Sequence, residues 1–123
     1  MKTRILIVDD NADLTNIVSL ILTSEGFLVK VCHSLSGCIG LINDWNPHIL
    51  LLDVNVNGED GRELCRKLKT VDEQNELKIL LMSGDENTLE QGFGADGRIA
   101  KPFDSGLLIK NIRECLQPVN QNT

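Results

Sequence analysis

Five polar residues stand at, or just after, the ends of stretches that read as strands, and their types suit one kind of chemistry. Asp9 and Asp10 follow Ile5-Leu6-Ile7-Val8, Asp53 follows Leu50-Leu51-Leu52, Ser83 closes the run 77–82, and Lys101 follows the run 98–100. Carboxylates brought close together raise one another's pKa unless a cation neutralises them. A carboxylate-rich, all-oxygen pocket suits a hard divalent ion. Mg²⁺ is the natural choice, since it keeps several waters and needs only one or two carboxylates. Aspartate is an established phosphoryl acceptor. Its attack requires neutralisation of charge on the transferring group, which Mg²⁺ and Lys101 would supply. Ser83 offers a hydroxyl and Gly84 an open backbone N–H. Taken singly, each feature has a blander reading. Asp9-Asp10 caps a helix, Asp53 ends a strand in a turn, and Ser83-Gly84 and Lys101-Pro102 are ordinary loops. Only their convergence makes a site, and convergence depends on the elements that carry them.

Ile5-Leu6-Ile7-Val8 reads as a strand buried on both faces. Leu14, Ile17, Val18, Ile21 and Leu22 recur at i, i+3, i+4, i+7, i+8, which predicts an amphipathic helix capped by Asp10 or Asn11 and ended by Gly26. A second strand is expected over 27–32. Ser34 would cap a helix that turns Cys38, Leu41, Ile42 and Trp45 inward and stops at Asn46-Pro47. A third strand runs over 48–53, a helix over 62–69, a polar loop over 70–76 and a fourth strand over 77–82. Residues 85–91 leave room for only a short helix. A brief strand over 98–100 and a helix capped by Asp104 or Ser105, with Leu108, Ile112, Cys115 and Leu116 apolar, close the domain. Asp60 and Gly61 read as a helix-start acid and a turn glycine, and Phe103 as packing. Apolar strands alternating with helices imply an α/β fold: a doubly wound, five-stranded parallel sheet of order 2-1-3-4-5, covered on both faces. In such sheets the site lies beyond the carboxyl ends of the strands, where the winding reverses. The first and third strands would be neighbours there, so their carboxylates meet.

Composition narrows the function. At 123 residues the chain reads as one domain over 1–117 with a polar tail over 118–123, large enough for a core without staples. A net charge of −6 speaks against a nucleic-acid surface. No run reaches membrane-spanning length, and the N-terminus lacks a signal peptide's pattern, so a cytoplasmic location is expected. The four cysteines, none at Cys-x-x-Cys spacing, are expected to be reduced and buried. His33 and His48 read as structural or surface residues.

The chain resembles a receiver domain of the two-component response regulators, of the chemotaxis-regulator-like kind. The resemblance rests on Ile5-Leu6-Ile7-Val8-Asp9-Asp10-Asn11, Leu51-Leu52-Asp53 with Asp60-Gly61, Leu81-Met82-Ser83-Gly84, Gly94-Ala95-Asp96 and Lys101-Pro102-Phe103, and it extends to about Leu116. It implies that Asp53 is the phosphoacceptor. It further implies that Asp10, Asp53 and the backbone carbonyl of Asn55 ligate Mg²⁺, with Asp9 acting through water. Lys101 would pair with the phosphoryl oxygens, Ser83 would move to bond them, and the Lys101–Pro102 peptide would be cis. The donor would be a histidine kinase or a histidine phosphotransfer protein. The listener would be a downstream protein or an output domain, and the chain would be a signalling receiver rather than an enzyme in its own right.

Three features depart from that family. Asn57 stands where proline is common, which is expected to loosen the loop. Arg98 stands where an aromatic residue usually swings with the hydroxyl, and the segment 83–101 is about one helical turn short. Two other classes share a strand-end aspartate. A dehalogenase-like phosphatase wants a second acid where Asn55 stands. A flavodoxin-like ligand-binding module of the cobalamin type wants a histidine within Asp53-Val54-Asn55-Val56-Asn57-Gly58, and none is there.

Overall fold

The structure, a computed structural model, describes residues 2–71, 76–85 and 93–117. In chain order the elements are β1 (Arg4–Val8), α1 (Ala12–Ser24), β2 (Leu28–Cys32), α2 (Leu35–Trp45), β3 (Ile49–Asp53), β4 (Asn55–Val56), β5 (Glu59–Asp60), α3 (Gly61–Val71), β6 (Lys78–Ser83), β7 (Gly97–Ala100) and α4 (Ser105–Leu116). Five strands form a parallel sheet in the order β2-β1-β3-β6-β7. This is the expected doubly wound order once the small β4–β5 hairpin is set aside.

Side chains alternate across a strand, and here the alternation divides the core in two. Ile5, Ile7, Ile49, Leu51, Leu80 and Met82 pack on one face with Val18 and Leu22 of α1 and Leu108 and Ile112 of α4. Leu6, Val8, Leu50, Leu52, Ile79 and Leu81 pack on the other with Cys38 of α2 and Leu64 and Cys65 of α3. β3 lies at the middle of the sheet, and its four apolar residues are wholly buried. Truncating any of its leucines to alanine would cost about 3 kcal/mol in transfer and cavity terms.

The helix starts follow the expected caps. Asn11, Ser34 and Asp104 each accept from a backbone N–H three residues on. Ile17 departs from expectation. It belongs to the apolar stripe of α1 but is 57% exposed, because the sheet meets the face carrying Thr15, Val18 and Leu22. Position 17 lies roughly 100° around the helix from Val18, on the shoulder of that face. α3 extends through Thr70 and Val71, which the sequence reading left in a loop. Thr70 sustains the last turn by donating its hydroxyl to the Arg66 carbonyl at 2.8 Å. The short helix expected over 85–91 and the tail 118–123 lie outside the described residues, apart from Asp85.

The hairpin was not expected. Asn55–Val56 pairs antiparallel with Glu59–Asp60 around Asn57 and Gly58, whose φ values are 54° and 83°. Positive φ at both central residues is what a two-residue type I′ turn requires, and Asn-Gly is its strongest signature. Asn57 therefore does not loosen this loop. It closes a tight turn.

Candidate functional site

Register brings the selected residues to one place. Val8 pairs with Leu52, so Asp9 and Asp53 emerge side by side at the ends of β1 and β3. Ser83 pairs with Ala100, so Lys101 emerges beside Ser83, and the Lys101 N–H donates to the Ser83 carbonyl at 2.7 Å. The Lys101–Pro102 peptide is cis. Asp9, Asp10, Asp53, Asn55, Ser83 and Lys101 all line one cavity of about 490 Å³.

The charges within it are unequal. Asp9, almost wholly buried, accepts from the Asn11 N–H at 2.9 Å and from Lys101 Nζ at 2.6 Å. Asp53 is 8% exposed, and its Oδ2 lies 3.3 Å from the same ammonium. The lysine thus sits closer to Asp9 than to Asp53. Asp10 is exposed and accepts from the Asn57 N–H at 2.9 Å. One carboxylate oxygen from each of Asp9, Asp10 and Asp53 lies within 4.8 Å of the others. Two like charges at 4.8 Å repel by about 3 kcal/mol at an effective dielectric constant near 20. Burial, then the charge of Asp9, push the Asp53 carboxyl above its usual range, while Lys101 and the Asn55 N–H oppose the rise. Among the described lining residues, the clustered carboxylates of Asp9, Asp10 and Asp53 face one ammonium, that of Lys101. The donors are all oxygen and the surplus charge is negative, so the residues present fit a hard divalent cation.

Ser83 is buried, and its hydroxyl accepts from the Asp85 N–H at 2.9 Å and donates to the Asp85 carbonyl at 3.0 Å. It faces the pocket while engaged with its own loop. Arg98 is exposed on β7 and is not among the residues lining the pocket. His48 and His33 are structural, as expected. The first accepts from the Arg4 N–H at Nδ1, and the second has Nε2 3.2 Å from the Thr15 hydroxyl. The four cysteines are free thiols. Cys38, Cys65 and Cys115 are buried, whereas Cys32 is only half-buried. Burial pushes the Cys38 thiol up to about 12 and the Cys65 thiol up to about 11.

Sequence reasoning missed the role of Gly61. Its N–H donates to the Val54 carbonyl at 2.7 Å, and a Cβ placed there would lie 2.1 Å from the Asp53 carbonyl oxygen. It is a close-approach glycine against the backbone of Asp53, and no local pattern announces that. Also missed were Leu14, Pro102 and Phe103 as walls of a second cavity of about 460 Å³, which shares Asn11, Gly84 and Lys101 with the first.

A family model described as the response regulator receiver domain matches residues 5–113. Among solved structures, a response regulator signal receiver domain from Bermanella marisrubri is 29% identical with a TM-score of 0.87, covering 95% of this chain and 100% of that one. The receiver domain of NtrX from Brucella abortus is 30% identical with a TM-score of 0.83, covering 91% and 97%. The chemotaxis response regulator CheY4 of Vibrio cholerae, at 21% identity and a TM-score of 0.84 over 94% of this chain and 100% of that one, shares the fold.

Proposed function

The chain belongs to the response regulator receiver family of two-component signalling, and from that premise we propose that Asp53 accepts a phosphoryl group in a pocket completed by Mg²⁺. The observation that carries this reading is the meeting of the Asp9, Asp10 and Asp53 oxygens within 4.8 Å, with Lys101 Nζ at 2.6 Å from Asp9 and 3.3 Å from Asp53. Asp10, Asp53 and the Asn55 carbonyl would hold the ion, with Asp9 reaching it through water. When bound, Mg²⁺ would neutralise the charge on the transferring phosphoryl group.

The chain's own residues do the rest. An oxygen of Asp53 attacks phosphorus, the N–P bond of the donor phosphohistidine breaks, and its electron pair returns to the imidazole nitrogen, which takes up a proton. The product is an acyl phosphate. Lys101 turns from Asp9 toward the new oxygens. Ser83 gives up its bonds to Asp85 and donates its hydroxyl to the phosphoryl group, which carries about −1.5 to −2 charges at neutral pH. That exchange moves the backbone after β6 and starts the signal.

The donor is a histidine kinase or histidine phosphotransfer protein. It would lie over the cavity walled by Leu14, Pro102 and Phe103, the apolar neighbour of the pocket. The listener is a protein. A nucleic-acid partner fits poorly with a net charge of −6. Among the described residues no helix is long and apolar enough to cross a membrane. This reading places the domain in the cytoplasm, with the receiver over 1–117 and a polar tail over 118–123. Its catalysis is confined to its own phosphotransfer and dephosphorylation.

Incubation with acetyl phosphate and Mg²⁺, followed by intact-mass measurement, tests the proposal. One phosphoryl increment on the wild type and none on Asp53→Asn is expected. An unmodified wild type, with acetyl phosphate and with a phosphohistidine donor protein, would sink it.

A further inference from the structure

Asn57 is not one of the pocket groups, yet it is tied to three of the loops that build the carboxyl edge of the sheet. Its φ of 54° turns the chain between β4 and β5. Its main-chain N–H donates to Asp10 Oδ2 at 2.9 Å. Its side-chain Nδ2 donates to the His33 carbonyl at 2.9 Å. His33 is in turn fixed through Nε2, 3.2 Å from the hydroxyl of buried Thr15 on α1. On the other side, the Gly58 N–H donates to Asn55 Oδ1 at 3.0 Å, holding a residue that lines the pocket. The loops after β1, β2 and β3 therefore meet at one residue. Proline at this position has no N–H to give and cannot adopt a positive φ.

We propose that Asn57 is a positioning residue for the cation site: its N–H holds one oxygen of Asp10, its amide is anchored on the His33 carbonyl, and the second oxygen of Asp10 is left aimed at a divalent ion. The inference rests on the Mg²⁺ reading above. Outer partners that fix a ligating carboxylate commonly govern metal affinity tenfold or more.

Isothermal titration calorimetry of the full chain with Mg²⁺ alone, paired with thermal melts of the metal-free protein, tests it. Asn57→Gly keeps the N–H and tolerates the positive φ but loses the amide. Asn57→Asp keeps the size and the turn, presents an acceptor where the His33 carbonyl needs a donor, and adds negative charge near the ion. Positioning predicts a Mg²⁺ dissociation constant about tenfold higher in both variants, with melting points close to wild type. Tighter binding in Asn57→Asp would mean that charge alone sets affinity, and it would overturn the proposal. So would unchanged affinity in Asn57→Gly, with or without a lowered melting point. A wild type that binds no Mg²⁺ overturns both this inference and the cation reading beneath it. A wild type that binds, with unaffected variants, overturns this inference alone.

Discussion

The two ends of the sheet treat charge in opposite ways. At the amino end polar groups come in matched sets. The Arg4 N–H donates to His48 Nδ1 and the His48 N–H returns a bond to the Arg4 carbonyl, each at 2.9 Å, while the Arg4 guanidinium reaches the Asn46 carbonyl that ends α2. Lys69 Nζ meets Asp96 Oδ2 at 3.0 Å and the Leu77 carbonyl at 2.9 Å, and Asp96 Oδ2 also accepts from the Ile79 N–H. At the carboxyl end, the clustered carboxylates of Asp9, Asp10 and Asp53 face one ammonium among the described lining residues. The amino end is completed by folding. The carboxyl end is held together against its own repulsion, and its three clustered carboxylates could hold a metal ion. Surplus buried charge of this kind marks a functional site more often than a structural one.

The largest effect that would break or sharpen this contrast comes from Asp53→Asn. The phosphoryl adduct should vanish by intact mass, while the melting point at neutral pH should rise. The rise follows from the direction of the pKa. Burial and Asp9 push the folded-state pKa above the ordinary value of 3.8, so ionising Asp53 costs native stability. That cost is full at neutral pH, shrinks as pH falls through the raised value, and is gone below 3.8. The advantage of the variant should fade over the same window. A variant melting below wild type at neutral pH would deny that the pocket is under net repulsion.

Next comes Gly61→Ala, which drives a methyl into the Asp53 carbonyl. Urea denaturation should show a loss of about 3 kcal/mol, typical of overpacking against backbone, together with impaired phosphorylation. A loss within error would mean that α3 can slide away from β3.

The amino end should behave in the reverse manner. Asp96→Ala strips the acceptor from the Ile79 N–H and the partner from Lys69, and should cost about 2 kcal/mol, with phosphorylation at Asp53 unchanged. Reduced phosphorylation in that variant would show that the two ends are coupled.

The smallest effect is a pH dependence at His48. Burial, then the charge of Arg4, hold its pKa below the usual 6.5, so protonation is disfavoured in the fold. Its contribution is full above 6.5 and is lost as pH falls from there through the lowered folded value. The urea midpoint of the wild type should decline over that interval, and His48→Leu should flatten the decline at a small cost from the Arg4 N–H left without an acceptor. An equal slope in both proteins would assign the pH dependence elsewhere.

Much of the frame was legible in the chain. Continuous apolar runs marked the three central strands β1, β3 and β6, and Asn11, Ser34 and Asp104 marked the helix starts, because strand burial and N-capping are written in consecutive residues. Legibility failed where the signal was short or shared. Ile17 has the type and spacing of a core residue, but the contact face of α1 is narrower than its apolar stripe. The strands of the hairpin are two residues each, too short for periodicity, although Asn57-Gly58 carried the turn signature. The polar end of α3 masqueraded as a loop because its apolar residues are confined to one face.

The site divides along the same line. The sequence alone determined which groups stand at the strand ends, Asp9, Asp10, Asp53, Ser83 and Lys101, and that their sum is negative. Both follow from residues adjacent along the chain. Only the tertiary structure decided how they pair. Lys101 binds Asp9 across 92 positions and lies farther from Asp53, Asp10 is held by Asn57 across 47, and Gly61 lies against the Asp53 carbonyl. Those choices depend on the register of neighbouring strands, which the packing of the whole chain sets and no local pattern encodes.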